Sequence, residues 1–157
     1  MMIFEALMFW AATLAPGPRP SVIVHITTGD AVKIAQRIAR DEGYDLDKEV
    51  RDPQGEKVVY WFDSLDGSPQ GPFLEGYTSI GFYINSHSRS GISINNTTGQ
   101  TLDMTSCELF DYPDLQPFQE QVMRLGGISK KKTPEELADE VGCESLRIVR
   151  TPVPVTR

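Results

Sequence analysis

The sequence predicts an α+β domain: an antiparallel sheet of about four strands packed with an Ala/Ile-rich helix and two further short helices. Three observations carry that prediction. Between residues 57 and 102, strand-like segments follow one another with only turn signals between them, as in a meander and unlike alternating βαβ units. Upstream, Ala31, Ile34, Ala35, Ile38 and Ala39 recur at i, i+3, i+4, i+7 and i+8, one apolar stripe along a helix. Downstream, Thr133-Pro134-Glu135-Glu136 has the residue types of a capping box with Pro at the first helical position.

The elements follow in chain order. Residues 1–15 are almost wholly apolar and end abruptly at Pro16-Gly17-Pro18-Arg19-Pro20. Two readings are open: the apolar region of a secretory leader, with Thr13-Leu14-Ala15 as an approximate cleavage signal, or an apolar element packed on the domain. The missing Lys or Arg before Arg19 and the Pro after Ala15 count against the leader. The expected organisation is a signal or apolar leader plus Pro-rich joint over residues 1–20, a single domain over 21–150 and an extended tail over 151–157. Residues 22–26 read as a short strand. Thr28 or Asp30 can cap the helix that follows, and Gly43 suits its left-handed stop.

Residues 57–62 form a strand by β-branched and aromatic content. Asp66-Gly67 and Ser68-Pro69-Gln70-Gly71-Pro72 mark a loop. Residues 76–84 give a second strand, with Thr78, Ile80, Phe82 and Ile84 on one face and Tyr77 and Tyr83 on the other. Residues 85–90 read as a polar turn. Residues 91–95 alternate, predicting one buried and one wet face, and residues 100–102 return as the next strand after Asn96-Thr97-Thr98-Gly99. Asp114 can cap a helix bearing Phe118, Val122 and Leu125, stopped by Gly126-Gly127. The last helix runs through Val141 to Gly142. Residues 146–155, interrupted by Pro152 and Pro154, suit an edge strand or tail.

Composition narrows the function. A chain of 157 residues hides about 69 % of its surface on folding, enough for a core without metals. With 22 acids against 15 bases, the net charge of −7 disfavours nucleic acid or an anionic membrane as partner. That charge is concentrated: residues 41–75 hold ten acids against Lys48, Arg51 and Lys57, so the remainder is balanced. No run reaches the 18 apolar residues of a membrane span. Cys107 and Cys143, 36 positions apart, are the only cysteines. They read as a disulfide in an oxidising compartment or as two buried thiols. A structural zinc site lacks its ligand spacing.

Candidate chemistry is sparse. Asp45, Asp47, Glu49 and Glu56 fall at carboxylate positions of a calcium loop, but Val50 stands where the sharp turn needs Gly. No metal or other cofactor is expected. His87 sits among Ser86, Ser88 and Ser90 without a nucleophile elbow, as in an ordinary polar turn. Asn95 and Asn96 are overlapping glycosylation acceptors that also suit a turn. Lys130-Lys131-Lys132 reads as a solvated linker. The aromatic residues are more informative. Tyr60 and Phe62 share one strand face, Trp61 takes the other, and Tyr77 and Tyr83 lie opposite Phe82. Tyr60, Phe62, Tyr77 and Tyr83 are the candidate binding residues, since rings on a sheet not covered by a helix form a partner surface; the alternative is that one of the two later helices covers that face.

The order of elements resembles the PepSY-like modules of thermolysin-type propeptides and other exported bacterial proteins. The residues that carry the resemblance are Ala31-Val32-Lys33-Ile34-Ala35 through Gly43 and Val59-Tyr60-Trp61-Phe62. To these is added the strand, Thr-Gly turn and returning strand Ile92-Ser93-Ile94-Asn95-Asn96-Thr97-Thr98-Gly99-Gln100-Thr101-Leu102. It covers residues 30–102. The segment 64–89 is longer than that family's hairpin connection, and the carboxy-terminal helices have no counterpart there. The resemblance implies a non-catalytic exported module that binds or restrains another protein, with no catalytic residue to carry over. The expectation is therefore a periplasmic or secreted binder of a protein or peptide, with a cytoplasmic location as the alternative. The rival is a small hydrolase with its site in loops between residues 64 and 91.

Overall fold

The computed structural model describes residues 25–66 and 73–150. The proposed leader, most of the strand placed at 22–26 and the tail from 151 lie outside them. The described remainder of that strand, His25 and Ile26, is irregular, with Ile26 buried.

Helix α1 (Thr28–Asp41) starts where the Thr27 hydroxyl accepts from the Asp30 amide at 3.1 Å. The cap is thus Thr27, one residue before the expected pair. Ala31, Ile34, Ala35, Ile38 and Ala39 are all buried. Gly43, at φ 101°, takes the left-handed turn that ends the helix. A two-strand hairpin follows, β1 (Val50–Arg51) with β2 (Lys57–Val58), its turn held by the Asp52 carboxylate accepting from the Gln54 and Glu56 amides.

The main sheet has six strands, not the four expected. They are β3 (Tyr60–Ser64), β4 (Tyr77–Ile84), β5 (His87–Asn95), β6 (Thr101–Asp103), β7 (Glu108–Phe110) and β8 (Arg147–Val149), in that spatial order. β3 to β7 form the antiparallel meander. β8 returns parallel to β7 after α2 (Gln116–Leu125) and α3 (Pro134–Val141). Of the two strands beyond the expected four, β7 is three residues long, too short for a periodicity to show, and β8 is an edge strand within the segment read as an edge strand or tail. The expected polar turn at 85–90 shrinks to Asn85-Ser86, both at positive φ, and the strand resumes at His87. α2 enters through a 3-10 turn (Pro113–Leu115) without a side-chain cap from Asp114, while Thr133 and Glu136 close the capping box of α3.

The register assigns every sheet side chain to a face. Ile80, Ile92, Ile94 and Phe110 point toward α1 and, with Leu115 and Val122, form one core cluster, while buried Phe82 shares their face and stacks on Phe62. On the opposite face Tyr77, Leu102 and Leu109 meet Leu137 of α3. Between them and the far corner, the Ser79 and Ser93 hydroxyls are 2.8 Å apart and wholly buried. The expected wet face of β5 is therefore covered. The disulfide Cys107–Cys143, with Cα atoms 5.9 Å apart, ties the β6–β7 turn to the end of α3. The Gln100 side chain clamps the Lys132 backbone with two 2.9 Å hydrogen bonds, so the lysine-rich segment is anchored and not a free linker.

Candidate functional site

The face opposite α1 is open at the corner where β3 meets β4. Trp61 and Tyr83 are cross-strand partners with ring centroids 5.0 Å apart. Trp61 is 45 % exposed and the neighbouring Val59 50 %. Two local devices hold this arrangement. Gly81 and Gly91 are paired across β4 and β5 on the same face. A Cβ at Gly81 would lie 2.7 Å from the Tyr83 ring, so the missing side chain is what lets that ring lie down on the sheet. Asn85 then secures Val59 from both sides. Its amide donates to the Val59 carbonyl at 2.9 Å and its Oδ1 accepts from the Val59 amide at 2.8 Å. Val59 thereby becomes the break between β2 and β3, its side chain turned to solvent. Val59, Trp61, Asn85 and Ser86 line a shallow groove of about 520 Å³.

A second concavity, of about 400 Å³, lies on the α1 side at the helix end, lined by Glu42, Tyr44, Arg89, Asp103 and Glu108 among others. Arg89 reaches it because the β4–β5 register slips there: Phe82 pairs Ser90 and Tyr83 pairs Ser88, leaving Arg89 on the bulge. Its Nε donates to the Tyr44 hydroxyl at 2.5 Å. The Glu42 carboxyl is raised above the usual carboxylate range, first by partial desolvation and then by Asp103, with Arg89 opposing. The other two acids serve the fold. Asp103 accepts from the Thr105 and Ser106 amides, and Glu108 pairs with Arg147. The cleft pairs carboxylates with a cation, and no His or Cys is among its lining residues.

The four candidate binding residues do not form one surface. Tyr60 and Phe62 lie half-buried on the α1 face, where Phe62 stacks on Phe82 at 4.8 Å and Tyr44 sits edge-on to Tyr60. Tyr77 is 4 % exposed under α3, its hydroxyl donating to Glu140 at 2.5 Å. Burial, and then that hydrogen bond, push its phenol well above the ordinary value. Only Tyr83 belongs to the open corner. Trp61, Val59, Asn85 and Gly81 were not singled out by the sequence, although Trp61 was placed on the right face. The signal was Gly81, two residues before Tyr83 on the same strand face, which leaves room for that ring.

The other motifs resolve locally. His87 is exposed, its Nδ1 3.0 Å from the Asn85 carbonyl of its own turn. Asp47 bonds Arg40, and Glu49 pairs with Arg51 and Lys57. Among the described residues no group of three or more His, Cys, Asp or Glu is placed to hold a metal ion. Buried Asn95 accepts from the Thr97 and Thr98 amides, organising the 95–100 turn. Among the described residues, no helix is long and apolar enough to cross a membrane.

No protein-family model matches the chain, and no curated protein matches it in sequence. Among solved structures, it is similar to a chain in the structure of a type VI secretion system effector–immunity complex from Pseudomonas protegens. The TM-score is 0.57 at 20 % identity, over 76 % of this chain and 91 % of that one. The likeness is one of fold.

Proposed function

We propose that this chain is a non-catalytic module that binds another protein through the Trp61–Tyr83 corner of its sheet, in the periplasm or outside the cell. The observation that carries the reading is the tilted Trp61–Tyr83 ring pair, with Trp61 partly exposed, at the end of the opposite face away from the α3 cluster. Tryptophan and tyrosine contribute large contact area at small entropic cost, which is why they dominate interface hot spots. Three further points support it. The fold likeness is to a chain from an effector–immunity complex, itself an assembly of proteins. The PepSY-like resemblance of residues 30–102 implies the same class of role. The Cys107–Cys143 disulfide suits an oxidising compartment.

The test is co-expression with the protein encoded by the adjacent reading frame, followed by affinity capture of the wild type and of Trp61→Ala. The expected outcome is a stoichiometric complex with the wild type, weakened at least about tenfold by Trp61→Ala, at an unchanged thermal midpoint. Turnover of an ester or peptide by the purified chain, abolished by His87→Ala, would establish the hydrolase rival instead.

A further inference from the structure

The protein-binding reading of this corner leaves the mode of binding and the chemistry of the partner open, and the inference that follows rests on that reading. The six-stranded sheet has two edges, β3 and β8. They are built differently. β8 is three residues long, contains Arg147, and is followed in sequence by Arg150, Pro152 and Pro154. Short length, basic residues and nearby prolines are how proteins blunt an edge against pairing. β3 has five residues in unbroken register with β4, without Pro, Lys or Arg. Its hydrogen-bonding phase is fixed at both ends. The Val59 carbonyl accepts from the Asn85 amide, and the Leu65 amide donates to the Ser79 carbonyl. Residues 59, 61, 63 and 65 therefore bond toward β4, and the amides and carbonyls of Tyr60, Phe62 and Ser64 face outward.

Charge selects the occupant. β3 lies within residues 41–75, which carry the whole net charge of −7, and Asp63 is exposed on it beside Trp61. A second copy docking edge to edge would bring two such segments together, against their mutual repulsion. An extended segment carrying Lys or Arg gains attraction instead. Every second side chain of such a strand would fall on the Trp61–Tyr83 face, where a cation can sit over the indole.

We propose that β3 accepts a basic, extended segment of the partner protein as a seventh strand. Main-chain hydrogen bonds to Tyr60, Phe62 and Ser64 would supply affinity, and alternate basic side chains on Trp61 and Asp63 would supply selectivity.

Three capped octapeptides test this with the full-length protein: alternating Lys and Val, alternating Glu and Val, and the Lys/Val peptide N-methylated at alternate amides. The readouts are amide exchange and chemical shifts at Tyr60, Phe62 and Ser64 at low ionic strength. The Lys/Val peptide is expected to slow exchange at these amides about tenfold or more, with the Glu/Val peptide binding at least about tenfold more weakly and the N-methylated one giving no protection. Equal binding by the N-methylated peptide, with Trp61 shifts but unchanged exchange, would overturn strand addition while leaving the protein-binding reading intact. A salt-insensitive homodimer that protects the same amides would overturn the choice of occupant. If no peptide binds but the neighbouring-gene product still depends on Trp61, strand addition by a basic segment fails alone. If that complex is also absent, the protein-binding reading fails with it.

Discussion

The two faces of one six-stranded sheet have been put to different uses. Toward α1, Ile side chains of β4 and β5 meet the Ala/Ile stripe, and the same cluster takes in Phe110, Leu115 and Val122, although β6 places buried Thr101 and Asp103 on this face. On the other face the same strands present three environments in succession: Leu102 and Leu109 under α3, the buried Ser79–Ser93 pair, and the open Trp61–Tyr83 corner. An apolar cluster closed over by a helix stabilises the fold and buries the rings it holds. A face divided among a helix, a hydroxyl pair and exposed rings contributes less stability, and the rings it leaves uncovered can bind.

If that contrast holds, the largest effect comes from the α1 face. Phe82→Ala should lower unfolding free energy by about 3–5 kcal/mol in a urea titration, since Phe82 is buried and stacked on Phe62. A comparable loss from Trp61→Ala would break the comparison, because an exposed residue is expected to shift stability by only about 0.5 kcal/mol. The next effect tests how the α3 side is held. Replacing both cysteines by Ser should cost about 3–4 kcal/mol for a link spanning 36 positions, and the intact protein should weigh two hydrogens less than its reduced form. Two free thiols in the non-reduced protein would remove the redox support for export. The smallest effect sharpens the reading of the middle zone. Ser79→Ala should cost about 1–2 kcal/mol by leaving the buried Ser93 hydroxyl only the weak Met104 sulfur as partner, whereas Ser79→Ala with Ser93→Ala should restore most of it. If the single and double variants cost the same, the hydroxyl pair is not what that zone depends on.

Much of this was legible in the chain itself. Local patterns fixed α1, the capping box of α3, the alternation of β4 and the meander, because each is decided within a few residues by periodicity, hydrogen-bonding side chains or turn stereochemistry. The concentration of negative charge in residues 41–75 was likewise plain from composition. Tertiary structure decided which rings are free. Tyr60, Phe62, Tyr77 and Tyr83 look equivalent in sequence, yet Tyr44 packs on the first, Phe82 on the second and α3 covers the third, while Tyr83 lies open only because Gly81 makes room for it. A strand as short as β7, and the burial of Ser93 on a face expected to be wet, also depended on partners far along the chain. Exposure is a property of what arrives from elsewhere, and no local pattern records the arrival of α3 at Tyr77 or its absence at Trp61.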